Sequence, residues 1–308
     1  MHRITREQQA SVGFRYAFTD DDDPLIEIQP GETVVVESED SYHGQVLREG
    51  RRNRSTEPRS NPLSGPIYVD GATPGDTLAV HIESIEPLDG RASTYVPSWW
   101  WFLGGVPLRE AMDEFLESTH PDAGVSFSIE NGTVSGGGLE MEYDPMLGTI
   151  GTAPRGPPAP NGPAGPHGGN MDLPCIKPGC TVYLPVSVTG ANLSLGDAHA
   201  AQGEGEITGV AAEMAARTKL QIDVISGGNL AAPRVETDDA LFAVAPRNHF
   251  ASFEETIRLA YVLLVNWLCE RGDEKWDAMR RCALSGRLVV GNTNCVAAGL
   301  DKSRLPYR

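Results

Sequence analysis

Residues 66 to 87 read PIYVDGATPGDTLAVHIESIEP, and their pattern sets the class of fold. Two apolar runs flank a polar centre. The centre holds Pro74 before Gly75, suited to a tight turn that needs a positive φ after the proline. In the second run Leu78, Val80 and Ile82 alternate with other residues, the period-two mark of a strand with one buried face. The stretch therefore reads strand, turn, strand.

The same pattern recurs outward from it. ETVVVESED at 32–40 is β-branched and alternating. VSFSIENGTVSGGGLEMEY at 125–143 carries Asn131-Gly132, a hairpin signal. TVYLPVSVTGANLSL at 181–195 and KLQIDVI at 219–225 read as further strands. Between these runs the chain is rich in turn formers, with 34 Gly and 23 Pro among 308 residues. Residues 98–118 break the sequence of strands with three consecutive Trp, a Gly pair and a short helical stretch; such a Trp cluster is usually core or interface. Residues 144–172 hold so much Pro and Gly that most of the segment reads as a long loop.

Only residues 252–284 give a long helical pattern. Phe253, Ile257, Tyr261, Val262, Val265 and Leu268 fall at helical spacing, and Ser252 with Glu255 forms a capping-box signature. A second helix is expected over Glu274–Ala283. The reading is a mainly β protein, an antiparallel sandwich or jelly roll, ending in a helical hairpin. Alternating βα units are missing, which argues against Rossmann and TIM architectures.

Composition narrows the function. Forty-two acidic against 25 basic residues give a formal charge of −17. That balance opposes a nucleic-acid partner, which calls for a basic stripe, and an anionic membrane surface. A neutral or cationic small molecule fits it better. The opening MHRITREQQ lacks the apolar core of a signal peptide, and no apolar run is long enough to span a membrane. Cys175, Cys180, Cys269, Cys282 and Cys295 are odd in number without a CxxC pair, as expected of reduced thiols in a cytoplasmic protein.

Chemistry concentrates in three places. SLGDAHAAQGEGE at 194–206 offers Asp197, His199, Glu204 and Glu206 with small spacers between them. Asp197 and His199 are two apart, so an extended chain puts both on one face. Oxygen with imidazole suits zinc, iron or manganese; the spacing fits a satisfied polar turn equally well. GPHGGNMD at 165–172 holds His167, Asn170 and Asp172 beside flexible glycines, and its Asp is either a ligand or a turn cap. EDSYHGQV at 39–46 holds Asp40, His43 and Gln45. Glu213, in apolar GVAAEMAA, is a carboxylate whose pKa such surroundings would raise, or one half-exposed on a strand. No GxSxG elbow and no phosphate-binding glycine loop is present.

Taken together these stretches resemble the acetamidase/formamidase family. The resemblance rests on residues 61–82, on LGTIGTAP at 147–154, on GGNMD at 168–172, on residues 179–213, and on the late helix with NWL. They follow in family order from about residue 34 to 290. Departures are His43, where a second Gly is common before the Gln, the Trp triplet, and LVVGNTNCVAAGLD near the C-terminus.

The resemblance implies a jelly-roll-like β-sandwich with smaller β-barrel and α+β parts and a C-terminal helical hairpin. It implies one unit over 1–308, with an N-terminal β part at 24–145 and a metal-motif β part with the helices at 146–308. It also implies a cytoplasmic homo-oligomer that hydrolyses formamide or acetamide to ammonia and the acid with a divalent metal ion, zinc first. Asp172, Asp197 and His199, with Asp40, are the ligands on this reading. Glu204, then Glu213, is the catalytic base, and Gln45, Asn170 and Gln202 hold the amide substrate. The alternatives are a non-hydrolytic metal- or ligand-binding sandwich, and a divergent hydrolase of a larger amide.

Overall fold

The structure, a computed structural model, describes residues 1–97, 101–102, 106–107, 123–246, 252–292 and 295–306. The Trp99–Trp100 pair and the helical stretch expected at 108–118 lie outside the described residues.

The decisive stretch folds as two strands, Ser64–Val69 and Thr77–Pro87, that lie in different sheets. The turn between them follows from its residues. Asp76 N–H donates to the Thr73 carbonyl at 3.0 Å, and Gly75 takes φ 99°. The Asp76 carboxylate then accepts from the Thr73 amide at 2.9 Å and its hydroxyl at 2.8 Å. A chain that leaves one sheet for the other at a rigid turn builds a sandwich. Leu78, Val80 and Ile82 point into the space between the sheets and are fully buried.

The first sheet has nine strands, in the order His2–Ile4, Glu32–Ser38, Ala216–Ile225, Thr77–Pro87, Thr181–Pro185, Arg234–Glu236, Ala240–Pro246, Cys295–Asp301 and Arg287–Val290. Apart from the parallel first pair, its neighbours are antiparallel. The second sheet has eleven strands and includes Gly124–Glu130, Arg91–Tyr95, Glu213–Met214, Leu193–His199, Met146–Gly151 and Gly168–Asn170 along its path. Both sheets draw strands from either side of residue 146. The main core lies between them, with Val34, Val80, Val182 and Ile222 from one sheet meeting Ala92, Phe127, Leu147 and Leu195 from the other. The Asn131-Gly132 hairpin forms as expected, with Glu130 opposite Thr133.

The helical hairpin covers the outer face of the nine-stranded sheet. Its helices are Phe253–Glu270 and Lys275–Ser285. The capping box at Ser252 and Glu255 is formed in both directions. Leu241, Ala243 and Ala245 pack under the helices, while Phe242 and Val244 face the main core. That strand is buried on both sides, which is why it reads as an unbroken apolar run. Val262, grouped in sequence with the buried helical face, is instead exposed. The buried face centres on Ala260, Leu264, Trp267 and Leu268, and Val262 projects from the opposite side. All five cysteines are free thiols. No helix among the described residues is long and apolar enough to cross a membrane.

Candidate active site

The strand Leu193–His199 is buried at every residue and sits between neighbours on both edges. Met146–Gly151 lies along one edge; Ser64–Val69 and then Glu213–Met214 lie along the other. The register places Glu213 directly opposite His199. A cross-strand pair brings side chains within contact distance, and the Glu213 carboxylate stands 3.3 Å from His199 Nε2. Asp197, two residues earlier, reaches the same nitrogen at 3.4 Å.

Asp172 arrives from the loop that follows Gly168–Asn170. Its amide and that of Met171 donate to the Gly148 carbonyl at 3.1 and 2.9 Å. Gly148 lies against both carboxylates. A Cβ there would sit 2.3 Å from Asp172 Oδ1 and 2.8 Å from Asp197 Oδ2. Glu206 is carried by a turn in which its N–H donates to the Gly203 carbonyl at 3.1 Å. Asn61, Asp172, Asp197 and Glu206 have φ of 54°, 47°, 57° and 41°, four of the nine non-glycine residues with positive φ among those described. Such backbone strain clusters where a site must aim its side chains.

Hydrogen bonds fix the acidic groups. Ser41 Oγ donates within reach of both Asp197 Oδ1 and Glu213 Oε2, the latter at 2.7 Å. Glu213 Oε1 accepts the Ala211 N–H at 3.0 Å. Asn61 donates to Asp197 Oδ2 at 3.0 Å, and Asn292 donates to Asp172 Oδ2. Thr149 donates to Asn170 Oδ1 at 2.6 Å. Two buried ligand atoms have no hydrogen bond at all, Asp172 Oδ1 and His199 Nε2. The contacts of Nε2 with Asp197 and Glu213 are close but poorly aligned.

The electrostatics are one-sided. Asp172, Asp197, Glu206 and Glu213 are buried around one imidazole. Among the described residues no Lys or Arg pairs with any of the four; Asp197 and Glu213 pair with His199. Burial, then the Asp197 charge, pushes the Asp172 carboxyl well up. Burial and Asp172 do the same to Glu206. Burial raises Glu213 against the pull of His199. Burial opposes charge on Asp197 too, yet His199 and the Ser41 hydroxyl draw its carboxyl below the ordinary range. Burial disfavours the imidazolium, but Glu213 and Asp197 hold His199 well above its ordinary value. Such a cluster needs protons or a cation. Asp172, Asp197 and His199 can converge on one ion, as can His199, Glu206 and Glu213, since each set keeps its ligand atoms within 4.8 Å of one another.

A cavity of about 130 Å³ opens onto this cluster, lined by Tyr42, Asn61, Gly162, Asn170, Asp197, Glu206, Gly209, Glu213 and Asn292. Tyr42 is the large ring in the wall, held edge-on by Tyr95 at 5.2 Å with the Arg52 guanidinium 5.1 Å from its centre.

Residues 2–157 and 159–261 match the sequence profile described as the Acetamidase/Formamidase family. The chain belongs to this family. The acetamidase of Yersinia enterocolitica superposes with a TM-score of 0.87 at 32% identity, over 99% of this chain and 92% of that one. An acetamidase from Bacillus halodurans gives 0.83 at 31%, over 99% of each. The formamidase of Methylophilus methylotrophus is 28% identical over 264 residues, covering 65% of this chain and 61% of that protein. The chain spans about three fifths of the length of the curated relatives it matches.

In this acetamidase/formamidase family member some of the candidate residues lie together and others apart. Asp172, Asp197, His199 and Glu213 come together. Asn170 lines the cavity. Asp40 does not join them: its carboxylate accepts the Tyr42 N–H at 2.7 Å and serves the turn that follows. Gln45 is away from the cavity, where its carbonyl accepts from Arg52 at 2.6 Å and from the Asn53 amide at 3.0 Å. Glu204 is exposed and accepts the Val290 N–H at 2.8 Å, outside the acidic cluster. Gln202 bonds His199 and the Asp172 carbonyl and is not among the residues lining the cavity. His43 turns away to the Tyr16 hydroxyl at 2.7 Å.

Residues 39–46 do contribute to the site, through Ser41 and Tyr42 between the residues singled out there. Asn61, Thr149 and Asn292 had no local signal beyond being polar. Glu206 was legible only as one of several acids in the Gly-rich run, and its choice over Glu204 is made by the turn.

Proposed function

We propose that this chain hydrolyses short linear amides to ammonia and the carboxylic acid, with a divalent cation, zinc first, held by Asp172, Asp197 and His199. One observation carries the cation: Asp172 Oδ1 and His199 Nε2 are buried without hydrogen-bond partners, in a group whose ligand atoms lie within 4.8 Å of one another. The donor set fits the ion, because oxygen with imidazole is a common zinc environment. When bound, such an ion polarises the amide carbonyl and makes a water acidic enough to attack near neutral pH.

The protein's own groups supply the rest. Asn61 donates to Asp197 Oδ2 and Asn292 to Asp172 Oδ2, which fixes both carboxylates in place. Asn170 accepts from Thr149, which leaves its amide N–H groups to donate to a substrate carbonyl in the cavity. Glu206 lines the cavity, and neither of its oxygens carries a hydrogen bond from a described residue. That position lets it take a proton from water and deliver it to the departing ammonia. Glu213, tied to Ser41 and Ala211, is the less mobile acid. The small cavity favours amides of formamide or acetamide size over larger ones. A homo-oligomer in the cytoplasm is part of the same reading, and light scattering on the purified protein tests the oligomer.

Ammonia release from formamide, acetamide, propionamide and urea is to be measured before chelation, after it, and after zinc is returned. Activity should vanish on stripping and return with the metal. Full turnover in stripped protein would remove the cation from the reading; no release from any amide would remove the hydrolysis. Glu206→Gln should lower kcat by about 10²–10⁴-fold with metal content unchanged. Loss of metal in that variant would make Glu206 a ligand instead of the proton carrier.

A further inference from the structure

Gln202 bridges two segments of the site. Its Oε1 lies 2.8 Å from His199 Nδ1, and its Nε2 lies 2.6 Å from the Asp172 main-chain oxygen. The second contact fixes the first. A carbonyl oxygen can only accept, so the NH₂ end of the Gln202 amide must face Asp172. The carbonyl end of the amide then faces His199, and it too can only accept. Nδ1 of His199 must therefore carry a proton. In the neutral ring the lone pair falls on Nε2, the atom that is buried, unpartnered and turned toward Asp197 and Glu213.

We infer that Gln202 is a positioning residue that sets the tautomer and aim of His199 and ties them to the placement of Asp172. The inference rests on the cation reading only for its consequence; the tautomer follows from the hydrogen bonds themselves. Asp172, at φ 47°, donates its N–H to the Gly148 carbonyl, and its own carbonyl is the fixed anchor of the bridge. Two ligands, one from a loop and one from a strand, are thus placed by one side chain. Outer partners of this kind orient ligating histidines, and their loss commonly weakens metal binding about 10–100-fold. The adjacent Gly203 allows the chain to turn just after Gln202, and the Glu206 N–H closes that turn on the Gly203 carbonyl.

The test compares the full-length wild type with Gln202→Leu, with Gln202→Asn as the second variant should the first not fold. The amide of Asn is one CH₂ too short to span both partners. Histidine ring ¹⁵N shifts are read on metal-stripped protein at a pH where the ring is neutral. Wild type should show the Nδ1–H form at His199, and the variants should lose it. Zinc affinity, by competition with a chromophoric chelator, should fall about 10–100-fold in the variants. An Nε2–H ring in wild type, an unchanged tautomer in the variants, or wild-type zinc affinity in them would overturn the inference. Wild type that binds no zinc would instead remove the cation reading, while the tautomer comparison would still decide the role of Gln202. A purely structural role would lower thermal stability without moving the tautomer.

Discussion

Gly148 shows how closely the site is built around one missing side chain. Asp172 comes from the loop after Gly168–Asn170 and Asp197 from the strand Leu193–His199, and their carboxylates meet over the Gly148 backbone. A Cβ at this position would stand 2.3 Å from Asp172 Oδ1 and 2.9 Å from the Asp197 carbonyl. Contacts that short force a shift, and both neighbours are held, Asp172 by Asn292 and Asp197 by Ser41 and Asn61. Gly148→Ala should therefore displace the carboxylates and cut kcat/KM and zinc affinity by at least about 10-fold, given that ligand positions matter at that scale. Far-ultraviolet circular dichroism should show the fold retained. Wild-type zinc affinity in the alanine variant would mean that the two carboxylates do not share an ion. At this scale the sequence was only partly legible. GTIG at 148–151 reads as a strand with glycines, and nothing local says that two acids 25 residues apart will press against the first of them.

Elements were more legible, because the forces that form them act between near neighbours. The capping box at Ser252 is set by residues three apart: Ser252 Oγ accepts the Glu255 amide at 3.2 Å, and Glu255 Oε2 accepts the Ser252 amide at 2.7 Å. Ser252→Ala should lower stability by about 1 kcal/mol in a denaturant titration. It should leave the acidic site untouched, since the helix packs on the outer face of the other sheet. The same locality explains the Asn131-Gly132 hairpin and the turn at Pro74-Gly75. Locality fails where a residue's face is chosen by its packing partner. Val262 is apolar and at helical spacing, yet it points away because the sheet lies on the side of Ala260 and Leu264. Asp40 and Ser41 are neighbours in a turn, and the sheet edge decides that the serine enters the site while the aspartate caps the backbone.

Over the whole molecule the excess of acid has two parts. Much of the −17 lies on exposed side chains, where repulsion among like charges opposes the compact state. Salt screens it, with a Debye length near 10 Å at 0.1 M. The melting temperature should therefore rise by a few degrees between low salt and about 0.2 M NaCl, as seen by scanning calorimetry; a fall would show that surface ion pairs dominate. The four buried carboxylates around His199 are sheltered from that screening and call for a bound positive charge. The sequence by itself determined the β-rich class, the helical hairpin and the segments that hold the acids. Those depend on periodicity, turn chemistry and residue type within a few positions. Only the tertiary structure decided that Ser64–Val69 and Thr77–Pro87 enter different sheets, that Glu206 and not Glu204 reaches the cavity, and that Gln202 turns to His199. These outcomes depend on which strands become neighbours. That is settled by burying two sheets against each other over separations of a hundred residues and more, which no local pattern encodes.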